Sequence, residues 1–298
     1  SVDSILVGFP FLMEISDDSI SIISEIAKLS GDSTTADVVA LLMGKRVHFR
    51  SLTDLNMILP FGELMTFGAA SGLETQIDFG VRNPVSVEID FGFRLDRIQN
   101  FGFAMPVARG RWLVGAGVET IERCDIPLKT ATFGDVLSSS NISNSFGSCK
   151  LTDLKRAQTY NFGFQQRLET ASALKMTWGV SWQPSWGPVR LLYAVDIRDF
   201  TLEHADDTYC RTRSGTDCLW KRLHIGTEIG IFPIDSGAST FAVRAGFNQG
   251  YFTYGFELNP FIFFRGLNIQ YAVYKTETGS QIGDRPDKRK VFQLNFGF

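Results

Sequence analysis

The chain has 298 residues, 44% of them hydrophobic and 13% aromatic, and a formal net charge of -3. That charge gives nucleic acid no electrostatic footing, and no run reaches the ~18 consecutive apolar residues of a membrane-crossing helix. With 26 Phe and 28 Gly against 10 Pro, in pairs such as Phe67-Gly68, Phe91-Gly92 and Phe296-Gly297, the composition favours strands with one apolar and one crowded face.

Ser1 leads almost directly into Ile5-Leu6-Val7, with no basic stretch before it. A secreted chain of this pattern is expected to have lost its leader upstream of Ser1. Ile5 to Met13 is the expected first strand. Ser16, Asp17 and Asp18 then supply N-cap residues, and Ile20, Ile23 and Ala27 follow at helical spacing up to Gly31. Asp32 or Ser33 caps a second helix carrying Val38, Leu41 and Leu42, with Gly44 as its stop. A helical insertion over 16–44 thus separates the first strand from the second. It plugs a lumen, lies at a rim or membrane surface, or docks a partner.

Strict period-two alternation marks the strands. Val85, Val87, Ile89, Phe91, Phe93 and Leu95 alternate with Ser86, Glu88, Asp90, Gly92, Arg94 and Asp96. The same pattern runs through 174–182, 191–197, 241–247 and 267–273. It ends the chain with Phe292, Leu294, Phe296 and Phe298 set against Gln293, Asn295 and Gly297. Runs of about eight to twelve residues suit a tilted strand crossing a bilayer, whereas ordinary strands run nearer five or six. Asn83-Pro84, Gln183–Pro188, Pro233–Gly237 and Asn259-Pro260 break the runs. The expected fold is a single all-β domain over 1–298, a transmembrane antiparallel β-barrel of about 12–14 strands, with 14 favoured. The terminal aromatic and its alternating neighbours resemble the insertion signal of bacterial outer-membrane barrels. The tryptophans Trp112, Trp178, Trp182, Trp186 and Trp220 are expected in aromatic girdles.

Two long loops, from Cys124 to Thr152 and from Thr201 to Leu219, hold two cysteines each. Local pairing of Cys124 with Cys149 and of Cys210 with Cys218 is expected in a secreted chain. With the chain end taken as periplasmic, counting strands back from Phe298 places the Cys210 loop on the outer side and the Cys124 loop on the opposite one, so either one strand between Leu151 and Phe200 is miscounted or the Cys124 loop is periplasmic. The histidines, His48, His204 and His224, are scattered. No zinc spacing and no Ser-His-acid grouping is identifiable, so neither a metal, a cofactor nor catalysis is expected.

The segments Arg244-Ala245-Gly246-Phe247-Asn248-Gln249-Gly250-Tyr251, Tyr271-Ala272-Val273-Tyr274 and Gly283–Arg289 resemble the C-terminal half of PorV/TraF-like outer-membrane proteins, members of the FadL-type barrel superfamily. Val195–Phe200 is similar to a strand motif of that group. The resemblance implies about fourteen strands and a role in hydrophobic-solute uptake or in an envelope machine. FadL-type transporters carry an Asn-Pro-Ala hatch. Here Asn83-Pro84 is followed by Val85, so the hatch is expected to be absent or upstream of Ser1.

Glu88, Asp90, Arg94, Asp196, Arg198, Glu228, Arg244 and Glu257 are expected to face the lumen as a network of both charge signs, joined by Asp96 and Glu119. Arg244 and Glu257 are expected to pair. The expected role is a largely closed structural or partner-binding barrel of an envelope assembly. The alternative is a FadL-like conduit for hydrophobic or small solutes. Either implies the bacterial outer membrane, its lipid, the barrel-assembly machinery and other envelope proteins as partners.

Overall fold

The computed structural model describes residues 5–27, 35–62, 64–83, 88–107, 112–126, 131–132, 158–160, 166–168, 174–186, 188–197, 222–233, 239–260, 266–277 and 286–297. Twelve strands run up and down in one antiparallel sheet: β1 (Leu6–Ser16), β2 (Arg46–Phe61), β3 (Met65–Asn83), β4 (Glu88–Val107), β5 (Trp112–Ile126), β6 (Leu174–Trp182), β7 (Val189–Ile197), β8 (Leu223–Pro233), β9 (Ser239–Asn248), β10 (Tyr251–Leu258), β11 (Leu267–Glu277) and β12 (Pro286–Gly297). Each pairs with its sequence neighbours, and β1 pairs with β12 from Gly8↔Gly297 to Ser16↔Arg289. The sheet is therefore a closed barrel with no free edge among these strands.

The count of twelve corrects the favoured fourteen. The cause is strand length. β2, β3, β4 and β5 run for 16, 19, 20 and 15 residues and take up chain that shorter, uniform strands would have divided. The strand expected from Val85 starts at Glu88 and continues to Val107. Between Ile126 and Leu174 the described residues add no barrel strand. Gln158–Tyr160 instead pairs with Gln166–Leu168 and lies parallel to Cys124-Asp125.

An even count brings both chain ends to one rim, the terminal rim. Both long connections, after Ile126 and after Ile197, leave from the opposite rim, the loop rim. Of the two alternatives, the miscounted strand is the one the structure takes: only β6 and β7 lie between the two connections, which therefore share a rim. Cys124 falls within β5 rather than in a loop, and its side chain is outside those described. Cys149, Cys210, Cys218 and Phe298 also lie outside the described residues.

Cross-strand partners share a face. Phe292, Leu294 and Phe296 stand opposite Met13, Phe11 and Phe9 and point outward, while Gln293 and Asn295 point into the lumen. The usual burial rule is inverted. Among the described residues the largest fully buried side chains are polar, led by His48, Glu14 and Asp96, whereas Phe101, Trp178 and Phe247 are each more than half exposed on the outer wall. A chain folded for water would not expose such a surface. Near the terminal rim the outward Trp112, Trp182 and Tyr193 stack in a row, with centroids 5.9 and 5.5 Å apart. Trp178 instead lies further up β6, opposite Ile197. The Trp186 side chain and Trp220 are outside those described. Toward the loop rim the outer wall turns charged: Arg97 ion-pairs with its cross-strand partner Glu122, and Lys288 and Lys290 follow Phe292 along the outward row of β12. β3 and β4 rise past that level to Asn83 and Glu88.

The β9–β10 hairpin shows how a turn sets register. Gln249 and Gly250 both take positive φ, 54° and 82°, which matches the twist of a two-residue hairpin. Glycine takes this geometry freely. Gln249 is held there as its Oε1 accepts a hydrogen bond from Thr276 Oγ1 at 3.2 Å.

Candidate functional site: the lumen and its rim helix

β1 leaves the sheet at Ser16, and its last ladder bonds are replaced by side chains. Ser16 takes an extended conformation and its Oγ accepts from the Ser19 amide at 3.2 Å, capping α1 (Asp17–Ile26). The same hydroxyl donates to the Arg46 carbonyl at 3.0 Å. Ser19 Oγ donates to the His48 carbonyl at 3.2 Å and accepts from the His48 amide at 2.9 Å. The first turn of α1 is thereby fixed to β2. The helix stops at Ile26, short of the expected Gly31. α2 (Thr35–Leu42) follows, and Gly44, at φ 70°, turns the chain into β2. Among the described side chains neither helix contributes to the cavity lining.

Below α1 sits a buried ionic cluster. His48 and Glu14 are 0% and 1% exposed. Glu14 Oε1 meets His48 Nε2 at 3.0 Å and Arg289 Nη1 at 2.7 Å, while Oε2 accepts from Arg50 Nη1 at 3.1 Å. The other ring nitrogen of His48 lies 2.9 Å from Asp78 Oδ1. Two carboxylates on one imidazole ask both nitrogens to donate. Arg50 continues to Glu74 at 2.6 Å and Arg289 to Asp287 at 2.9 Å. The hydroxyls of Ser16 and Ser19 meet the backbone of His48 rather than its ring.

A second cluster lies lower on the opposite arc. Arg244 donates from Nε to Glu228 at 2.7 Å, from Nη1 to Gln270 at 3.0 Å and from Nη2 to Glu257. Arg190 reaches Glu228 at 3.5 Å. An amide chain carries this cluster toward the terminal rim: Asn259 donates to Glu257 at 2.8 Å, Asn268 to Asn259 at 2.6 Å and Asn295 to Asn268 at 2.7 Å.

Between the clusters the lumen holds a cavity of about 1180 Å³, walled by Glu14, Arg50, Arg94, Asp96, Glu228 and Arg244 among others. On the β3–β5 arc nearer the terminal rim the inward positions are Gly68, Ala70, Gly102, Ala104, Gly115 and Gly117. Small residues there leave room that the charged arc does not fill.

Of the expected lumen residues, Glu228, Arg244 and Glu257 come together, while Arg94 and Asp196 line the cavity elsewhere. Asp96 and Glu119 line it too. Glu88 and Asp90 belong to β4, with side chains outside those described, and Arg198 lies outside the described residues. The cluster around Glu14 was missed. Its signal was present in β2, where Arg46, His48 and Arg50 alternate with Val47 and Phe49.

At the loop rim Asp17 ion-pairs with Lys288 Nζ at 2.8 Å and with Lys290 Nζ at 2.9 Å. Desolvation pushes the Asp17 carboxyl up, but these two ammonium groups outweigh it and hold it below the usual carboxylate range. A carboxyl lowered on folding lends stability above its unfolded value and loses it as pH falls through the folded one. Acidification below about pH 4, the unfolded aspartate value, is therefore expected to loosen α1 before the barrel. Faster amide exchange confined to 17–26 checks this; uniform protection down to the folded titration would contradict it.

No protein-family model and no curated protein sequence matches the chain. Solved structures to which it is similar include an outer membrane channel from Pseudomonas putida F1, at 9% identity and TM-score 0.42 over 100% of this chain and 96% of that one. Omp33 of Acinetobacter baumannii gives 7% and 0.39 over 98% and 97%. Outer membrane phospholipase A of Escherichia coli gives 12% and 0.35 over 97% and 92%. Scores this low carry no function across.

Proposed function

We propose that the protein is a bacterial outer-membrane β-barrel whose lumen conducts small polar solutes. The cavity of about 1180 Å³ among charged residues carries this reading. A wall of paired guanidiniums and carboxylates favours hydrated or zwitterionic solutes over greasy ones, and over ions of a single sign. That argues for a polar conduit rather than a FadL-like hydrophobic one. The reading includes no catalysis and no cofactor. Outer-leaflet lipid and the assembly machinery are its partners. Conductance of the purified protein in planar bilayers is the test: steady small currents are expected, and a silent barrel would sink the proposal.

The membrane placement rests on the outward apolar face between the Trp112-Trp182-Tyr193 row and the charges near the loop rim. Leu294 lies midway, between Phe292 and Phe296. Leu294→Arg is expected to cost about 2–4 kcal/mol, the midplane penalty for an arginine on a lipid-facing strand. Urea unfolding in vesicles measures it, and a cost near zero would remove the lipid from that face.

A second reading keeps the barrel as a closed scaffold accompanying an envelope assembly. It is favoured by β3 and β4, which continue beyond the Arg97–Glu122 level. Co-purification of a stable partner with a non-conducting barrel would support it.

A further inference from the structure

The outward face of β11 and β12 near the loop rim carries an arrangement that folding alone does not favour. Lys275 and Lys288 are direct cross-strand partners, and Lys290 is the next outward residue on β12, opposite Val273. Like charges set directly opposite destabilise a sheet. Asp17 answers two of the three, bonding Lys288 and Lys290. Lys275 is exposed, with no partner among the described residues. Among the described side chains three ammonium groups thus share one carboxylate, a local surplus of positive charge; the side chain of Glu277, two residues on from Lys275, is outside those described.

The surroundings say what kind of anion fits. Directly below the lysines the outer wall is apolar and aromatic, with Phe292 opposite Tyr271 and Phe256 packed on Tyr271 at 5.4 Å. Beside them, from Asp17 onward, α1 and its C-cap expose an apolar stripe: Ile20, Ile23 and Ala27, at i, i+3 and i+7, with Ile23 60% exposed. A free anion would need only the charges. Charges at the top of an apolar wall, flanked by an apolar helix face, match a molecule with an anionic head and acyl chains.

We propose that Lys275, Lys288 and Lys290 form a site for the phosphate groups of a phosphorylated glycolipid in the outer leaflet, with the acyl chains lying against Tyr271 and Phe292. Asp17 holds Lys288 and Lys290 in place when the lipid is absent and limits its affinity when present. This inference rests on the membrane reading above.

The test uses the full chain refolded into phosphatidylcholine vesicles doped with lipid A, followed by extraction into mild detergent and native mass spectrometry of the lipid A retained per barrel. Each cation near an anionic lipid surface contributes enough that losing three should lower retention about tenfold or more. The triple variant Lys275→Gln, Lys288→Gln, Lys290→Gln is expected to show that loss, and Asp17→Asn a gain. Opposite directions from two neighbouring changes separate the site from general damage to the barrel. Equal retention in all three proteins would overturn the proposal. Displacement of lipid A by inorganic phosphate would overturn the commitment to a lipid. Failure of the unaltered barrel to insert into vesicles would overturn the membrane reading and this inference with it, whereas insertion with lysine-independent retention would overturn this inference alone.

Discussion

Replacing Glu14 with alanine is expected to destabilise the barrel by about 3–5 kcal/mol, the cost of leaving buried charge without its partner. Glu14 is 1% exposed and is the one carboxylate shared by His48, Arg50 and Arg289. Removing it breaks three charge-assisted contacts at once. It leaves Arg50 with Glu74, Arg289 with Asp287 and His48 with Asp78, one carboxylate each, while the donors that met Glu14 face a buried gap with no acceptor. Because β1 and β12 meet here, the seam that closes the barrel carries the loss. Glu14→Gln keeps the shape and some hydrogen bonding, and should cost less than alanine. Urea unfolding monitored by heat-modifiable migration measures both. A loss under about 1 kcal/mol, the scale of an exposed ion pair, would mean that water reaches the cluster.

The barrel was legible because the apolar outer wall and the polar lumen impose opposite demands on alternate residues. Phe292, Leu294 and Phe296 announce an outward face, and Gln293 and Asn295 an inward one, without reference to any other strand. The strand number was less legible. Alternation shows that a segment is a strand but not how long it runs, and β3 and β4 continue well past the Arg97–Glu122 level. The Arg244 cluster was visible in part because Glu228, Arg244 and Glu257 each sit in a clean alternating run. The Glu14 cluster was hidden for a different reason. Glu14 lies at the end of β1 next to a helix cap, and Arg289 follows a Pro-Asp-Lys segment that reads as a turn. Their meeting depends on closing the first strand against the last, a contact between chain ends that local pattern does not report.

Removing the positive charge from the second cluster tests conduction rather than stability. In the intact wall Arg190 and Arg244 balance Glu228 and Glu257, so that arc has little preference between potassium and chloride. Arg244→Ala leaves the two glutamates with Arg190 alone, which reaches Glu228 at 3.5 Å and stands three strands from Glu257. Glu257 becomes a fixed negative charge on the conduction path. A unit charge about 4 Å from a passing ion is worth ~1 kcal/mol in water, favouring potassium and opposing chloride, so the potassium-to-chloride permeability ratio is expected to rise about fivefold or more. The reversal potential across a potassium chloride gradient reads this directly. Arg244→Lys keeps the charge but loses the forked geometry, so it should hold the selectivity near that of the unaltered barrel even if the stability falls. A reversal potential that stays put in Arg244→Ala, in a protein that conducts and migrates as folded, would mean that solutes do not pass this arc, and the lumen cavity would have to be a closed chamber.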